Sequence, residues 1–478
     1  MKKAKIAVVG GGIAGSTIAL YLSEIGLDVK LFEKGSSLVN GPPICHLHAG
    51  GNLYREISDE QCVTLLKESI DLVRFYPDAV DYRPTVIAVP KDDAGSPKEL
   101  YKRLNLLQNE YKTLIESDSK NKVLGDSSQY YKLYDRQDLE LLREKELPQK
   151  PLNLDDWMIP VAKNIDFDVL QFPLVIVQEY GLNLFRLSAS ASLALENKDN
   201  CEVLLKHKVT DIHKSKDNTW SVSYTNEQES KEEFFDFLIN AAGFRSGKID
   251  DMLELKRDRL VEFKAAYVSH WKKDETFWPE VIFYGERGTP KGMAQFTPYP
   301  DGYFQLHGMT KDITLFKEGL VKSSTKSAYP KLGAELLNKI EDRWSIDDSA
   351  QRTKLAINHL AQFIPSFKSA SVASKPLYGA QQIPGDDASL RAAEVSFVDE
   401  HYARCEIVKA SSVLSMADSI TAQLIKLGYT DKSMYKKRDF DTLKMLKEKQ
   451  IKQYAKSLCE DREYPLALSG RTFSAKLT

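Results

Sequence analysis

Gly10, Gly12 and Gly15 stand in the run Gly10-Gly11-Gly12-Ile13-Ala14-Gly15, directly after the apolar stretch Lys5-Ile6-Ala7-Val8-Val9. That order of residue types suits one task, the binding of a dinucleotide pyrophosphate. Gly10 permits a tight turn, Gly12 lets backbone approach the phosphates, and Gly15 lets the following helix pack on its strand. The free N–H groups at the helix start, beginning with Ile13 and Ala14, point partial positive charge at an anion. A second strand, Asp28-Val29-Lys30-Leu31-Phe32, ends on Glu33, which is placed to hydrogen-bond a ribose hydroxyl, with Lys34 beside it. Strand, loop, helix, strand and terminal acid lie in register, so the signal is far more specific than a lone glycine triplet.

The elements that must carry this loop belong to a long chain. At 478 residues it exceeds one ordinary core, and two or three domains are expected. A hydrophobic content of 42% and a mean hydropathy of -0.38 describe a globular protein. No apolar run approaches the roughly 18 residues of a membrane span, and no apolar leader precedes the first strand. A net charge of -2 gives no reason to expect nucleic acid. Five scattered cysteines without a CxxC pair suggest reduced thiols in a cytoplasmic protein, with neither zinc knuckle nor dithiol redox centre, and no metal site is predicted. Residues 92 to 148 turn polar and helical in pattern. Val203-Leu204-Leu205 and Trp220-Ser221-Val222-Ser223-Tyr224 read as two strands joined by a turn at Lys216-Asp217-Asn218. Strand-like runs between 260 and 310 suggest an antiparallel sheet. The lysine-rich C-terminus has apolar positions at helical spacing, from Phe440 to Leu458.

On these motifs the chain resembles the flavoprotein superfamily of D-amino-acid oxidase, sarcosine and glycine oxidases and malate:quinone oxidoreductase. The resemblance runs to about residue 428. Ala19, Leu22, Gly26 and Val29 stand at that family's FAD spacing up to Glu33. Asn240-Ala241-Ala242-Gly243 is similar to its second nucleotide motif, Val209 to its adenine-contacting position, and Ser411-Ser412-Val413 to the element that caps the flavin pyrimidine. The resemblance implies an α/β protein: a Rossmann-like FAD domain from 1–60, 161–250 and 371–430, with an inserted α+β substrate domain from 61–160 and 251–370. Residues 431–478 would form a helical appendage. Among the stretches passing beside the flavin ring, Cys45-His46-Leu47-His48-Ala49-Gly50-Gly51-Asn52 is similar to the place where some relatives bond a histidine covalently to FAD. His48 is the matching residue, followed by Ala49 and Gly50. Noncovalent FAD is the expectation, with attachment at His48, Cys45 or Cys405 as alternatives.

Substrates of such enzymes are small acids held by an arginine, whose planar fork matches a carboxylate. Here Gln381 occupies that arginine's place in Gly379-Ala380-Gln381. Arg391 and Arg404 are then candidates for the charge, and His48 and His307 for polar or proton-transferring groups beside the reacting bond. Tyr402 reads as structural. The expected reaction is removal of a hydride from a C–N or C–O bond of a small polar substrate, with reoxidation by oxygen or quinone. A flavin monooxygenase or halogenase using NAD(P)H is the first alternative, although Pro384-Gly385-Asp386-Asp387 reads as a surface turn. A non-catalytic binding protein on the same fold is the second. The basic C-terminal helix could also touch an anionic membrane surface, against the plainer reading of a packed helix with solvated lysines.

Overall fold

The computed structural model describes residues 4–51, 57–271, 276–341, 343–388, 390 and 393–473. Lys5–Val9 lies inside a six-stranded sheet, as its near-continuous apolar run requires of a strand covered on both faces. It pairs in parallel with Asp28–Glu33 on one side and Phe237–Asn240 on the other. Cys201–Leu205 extends the first side; Tyr402–Glu406 and then antiparallel Glu394–Asp399 extend the second. The helix Ile13–Glu24 buries every residue from Ala14 to Ser23. A helix apolar all round must be enclosed, and helices Leu184–Glu196 and Val413–Lys426 pack against it. Ile18, Leu20 and Leu22 are fully buried there, each contributing about 2 kcal/mol.

The second, nine-stranded sheet is mostly antiparallel. Its order is Leu320–Lys322, Arg259–His270, Tyr303–Gly308, Ala294–Pro298, Glu280–Phe283, Thr85–Pro90, Leu170–Val177 and Tyr131–Tyr134, with Ser371–Pro384 also paired to Arg259–His270. The architecture is therefore the expected one of a Rossmann-like sheet joined to an antiparallel sheet. Leu170–Val177 and Ser371–Pro384, which the expected boundaries give to the nucleotide unit, pair in this larger sheet. The predicted hairpin around residue 217 forms with a different partner. Trp220–Thr225 pairs across that turn with Lys208–Lys214, while Val203–Leu205 joins the parallel sheet. A three-residue apolar run cannot specify its neighbour; the second strand of the nucleotide unit does. Pro384–Asp387 ends in an exposed bend, as read.

The C-terminal segment is fastened to the body. Phe440 stacks edge-on against Tyr21 and Phe75, with centroids 5.2 and 5.5 Å away. Arg438 pairs with Asp71 and Asp418. Helix Glu448–Asp461 buries Ile451, Ala455, Leu458 and Cys459 and packs on helix Leu184–Glu196, leaving Lys449, Lys452 and Lys456 exposed. Its apolar face is thus occupied by the protein. Among the described residues no helix is long and apolar enough to cross a membrane.

Candidate functional site

One cavity of about 1720 Å³ joins the two sheets. That exceeds the volume of an ordinary small-ligand pocket, about 300–1,000 Å³, and suits a dinucleotide with room for a substrate. At one end it is lined by Gly10, Gly12, Ile13 and Ala14, by Glu33 and Lys34 at the close of the second strand, and by Val209, Ala242 and Gly243. Gly10 has φ +105, and a Cβ there would lie 2.4 Å from the Ala241 carbonyl oxygen. A Cβ on Gly12 would meet nothing within 4 Å. The backbone there faces open cavity, a cradle that a side chain would fill. Glu33 is held at the rim by its own loop, accepting from the Gly11 N–H at 2.7 Å and the Gly35 N–H at 2.6 Å.

Not every predicted nucleotide residue lines the cavity. Gly15 lies behind the loop, where a Cβ would stand 1.7 Å from the Gly10 carbonyl oxygen; its role is helix packing. Ala49 and Val413 are buried in the core. Gly50, at φ +102, packs against the Cys62 carbonyl and Leu107. Ser412 is turned to Glu68, donating at 2.6 Å. Ser411 does line the cavity, and its buried hydroxyl has no hydrogen-bond partner among the described residues. The same holds for the buried Gln382 carbonyl oxygen on the facing strand. Buried polar atoms without partners cost free energy, so both fit a site completed by a polar cofactor such as FAD.

The other end is the face of the antiparallel sheet. Gln381 donates to Glu262 at 3.4 Å, and Lys264 pairs with the same carboxylate at 2.7 Å. Arg287 also pairs with Glu262. Burial raises the Glu262 pKa, but Lys264 and Arg287 outweigh it and hold it down to about 2. Two cations share one anion here, leaving one positive charge beside the amides Gln295, Gln305 and Gln381. His307 lines the cavity with this group. Its Nδ1 lies 3.1 Å from the Ala265 carbonyl, which fixes the proton on Nδ1 and leaves Nε2 as the lone-pair nitrogen. Burial, then Lys264, push its pKa down to about 4, so the ring is neutral at pH 7.

Arg404 does not supply the substrate charge. It is buried and clamps Asp250 through Nε and Nη2 at 2.8–2.9 Å. Tyr402 is structural, donating to Asp250 and accepting from Asn240, both at 2.9 Å. Arg391 and Asn52 lie outside the described residues.

His48 reaches the cavity wall, but not alone. His46 Nε2 lies 3.1 Å from His48 Nδ1, and Lys409 Nζ lies 3.0 Å from His48 Nε2. His46 Nδ1 lies 2.5 Å from Glu280, to which Arg83 donates at 2.8 Å and Gln295 at 2.9 Å. Burial raises the Glu280 pKa, but His46 and Arg83 outweigh it and hold it at about 2. The ligand atoms of His46, His48 and Glu179 lie within 4.8 Å of one another, as do those of Cys45, His46 and Glu280. Arg83 and Lys409 already bring positive charge to these groups, so they form an ion-pair network rather than a cation site. Of these groups the sequence points to His48 and Cys45; Arg83 and Glu280 carry no local motif.

Residues 5–130 match the family model described as FAD dependent oxidoreductase (DAO). That stretch is similar to a DAO-type FAD-dependent oxidoreductase domain. A curated relative, the FAD-dependent monooxygenase olcE of Penicillium canescens, is 29% identical over 110 residues, covering 22% of this chain and 24% of the relative. The chain thus matches about a quarter of that relative's length. Solved structures share the fold beyond that stretch, over 90% and 91% of this chain in two cases. Glycerol-3-phosphate dehydrogenase from Bacillus halodurans, complexed with FAD, superposes with TM-score 0.54 at 14% identity, over 90% of this chain and 66% of that one. Glycine oxidase from Geobacillus kaustophilus gives TM-score 0.56 at 11% identity, over 91% and 100%.

Proposed function

We propose that the protein is an FAD-dependent oxidoreductase that oxidises a C–N or C–O bond of a small, singly anionic, amino-acid-like or hydroxy-acid-like substrate. The observation that carries this reading is the continuity of the cavity from the Gly12 cradle to Lys264. Gly10, Gly12, Ile13, Ala14, Glu33, Val209, Gly243 and Ser411 would hold FAD along it. The flavin supplies, when bound, a ring able to accept a hydride. The surplus positive charge of Lys264 and Arg287 over Glu262 would orient an acidic group, doing at this site what the arginine replaced by Gln381 does elsewhere. Neutral His307 can accept a proton at Nε2 from a hydroxyl or ammonium group of the substrate. Both ring nitrogens of His48 are engaged by His46 and Lys409, which favours FAD held without a covalent bond. Oxygen or a quinone would serve as electron acceptor.

The test is an anaerobic visible spectrum recorded while amino acids, N-methyl amino acids and hydroxy acids are added in turn. Bleaching by one of these acids alone is expected, and acid precipitation should leave the colour in solution. A purified protein without flavin absorbance would defeat the proposal. The relative named as a monooxygenase favours a second reading, in which NADH or NADPH bleaches the flavin and organic acids do not.

A further inference from the structure

Four side chains from three distant parts of the chain stand end to end, three of them lining the cavity wall. Lys409 meets His48 Nε2, His48 Nδ1 meets His46 Nε2, and His46 Nδ1 meets Glu280, at 3.0, 3.1 and 2.5 Å. The two imidazole centroids are 4.2 Å apart. His48 takes a left-handed backbone, φ +58, which costs a non-glycine residue free energy and persists only where its surroundings enforce it. Lys409 is 8% exposed, and Glu280 is wholly buried.

Each of the three links needs one proton. Arg83 and Gln295 donate to Glu280 and keep it an acceptor, so the proton of the innermost link sits on His46 Nδ1. The other two protons have two arrangements. In the first, a Lys409 ammonium donates to His48 Nε2, and His48 Nδ1–H donates to His46 Nε2. In the second, a His46 imidazolium donates through Nε2–H to His48 Nδ1, and His48 Nε2–H donates to the neutral Lys409 amine. Both contain the same number of protons.

We infer that Lys409, His48, His46 and Glu280 form a two-hop proton relay that moves one positive charge along the cavity wall, between Lys409 and a His46 held against buried Glu280. In the inward direction an Nζ–H bond of Lys409 and the Nδ1–H bond of His48 break. An Nε2–H bond forms on His48 and another on His46. No electron is transferred and no further reactant is consumed. The buried end faces Glu280, Glu179 and Cys45, which favour charge on His46. Arg83 opposes it, but is itself paired with Glu280 at 2.8 Å and with Asp81 at 3.6 Å. Neutral Gln295 and the buried Tyr299 phenol complete the surroundings. Burial works against a charged His46, but Cys45 and Glu280 outweigh it and hold its pKa well above the ordinary value. An anionic group arriving in the cavity draws the charge out to Lys409. That use rests on the cavity being the flavin and substrate chamber; the relay itself does not.

The test is ¹⁵N NMR of histidine-labelled protein, wild type and Lys409→Met, between about pH 6 and pH 9, where an ordinary histidine titrates. Wild type should show His46 and His48 ring resonances that do not move with pH, because exchange between the two arrangements neither takes up nor releases a proton. In K409M the outer link is lost, and the second proton on His46 should titrate with the solvent. Identical pH profiles in the two proteins would overturn the relay. Should K409M not fold, the wild type alone decides: a ¹⁵N–¹⁵N coupling across the His46 Nε2 to His48 Nδ1 hydrogen bond supports the relay, and its absence overturns it. Movement of both rings to metal-bound positions on adding Zn²⁺ would overturn it too, making the cluster a cation site. Flavin absorbance of the same samples separates the two ideas. Colour without coupling defeats only the relay, and coupling without colour defeats only the flavin reading.

Discussion

Gly12→Ala and Gly15→Ala, three residues apart, should fail in opposite ways. A methyl on Gly15 would stand 1.7 Å from the Gly10 carbonyl oxygen, a backbone atom that cannot swing aside. Overpacking costs about 1–3 kcal/mol, and a backbone contact this short belongs at the top of that range. The helix gains back about 1 kcal/mol when alanine replaces glycine. The net loss is about 2 kcal/mol, seen as a drop of a few degrees in Tm. A methyl on Gly12 meets no protein atom within 4 Å, so the stability of the flavin-free protein should be nearly unchanged. It would instead enter the pyrophosphate cradle, displacing about one charge-assisted hydrogen bond worth about 3 kcal/mol. That weakens FAD by about 100-fold. The assay is Tm with and without added FAD, because ligand binding raises Tm in proportion to affinity. G12A should keep its flavin-free Tm and lose the flavin-induced rise; G15A should lose the former. A G12A protein that binds FAD as tightly as wild type would refute the placement of the pyrophosphate.

Glu280→Gln should cost about 3–5 kcal/mol, since it takes the paired carboxylate from buried His46 and leaves Arg83 only Asp81, at 3.6 Å; urea unfolding at neutral pH measures it. The Glu280 pKa lies near 2 in the folded protein against 4.5 in the open chain. Its folded value is the lower one, so its stabilisation is present above about pH 4.5 and is lost as pH falls towards 2. Wild type should therefore shed about 3 kcal/mol across that window that E280Q does not, and parallel acid-unfolding curves would contradict this. Lys264→Met should raise KM for acid substrates by about 10- to 100-fold, the loss of one charge-assisted hydrogen bond, and leave kcat less affected. An unchanged KM would remove Lys264 from recognition. Arg438→Met leaves Asp71 and Asp418 without their cation. Limited proteolysis should then release the C-terminal segment well before the rest unfolds, and an unaltered cleavage pattern would show that Phe440 suffices to hold it.

The nucleotide end was legible because its residues are close in sequence and each glycine answers to one geometric demand. Gly10, Gly12, Gly15 and Glu33 lie within two dozen positions, and the strand–helix–strand unit that carries them has its own apolar rhythm. Ser411 was reachable only through resemblance. Its neighbours Ser412 and Val413 were read as contacts because sequence order cannot tell which side of a helix start faces a cavity. Arg404 misled for a related reason: a lone arginine advertises charge, but its partner Asp250 lies 154 positions away. The same distance hid Arg83 and Glu280, which are 197 positions apart and meet only when the Thr85–Pro90 and Glu280–Phe283 strands pair in parallel.

A glutamine at 381 does not leave this end of the cavity without positive charge. Arg259–His270 and Ser371–Pro384 pair so that Gln381 stands opposite Glu262. An arginine at 381 would have faced that carboxylate directly and been neutralised by it. With glutamine there, Glu262 takes its counter-charge from Lys264, two residues along its own strand and on the same face, and from Arg287. Two cations on one carboxylate leave a positive charge that a single arginine–glutamate pair would have cancelled. The cation has moved to the neighbouring strand, and the surplus faces the same cavity.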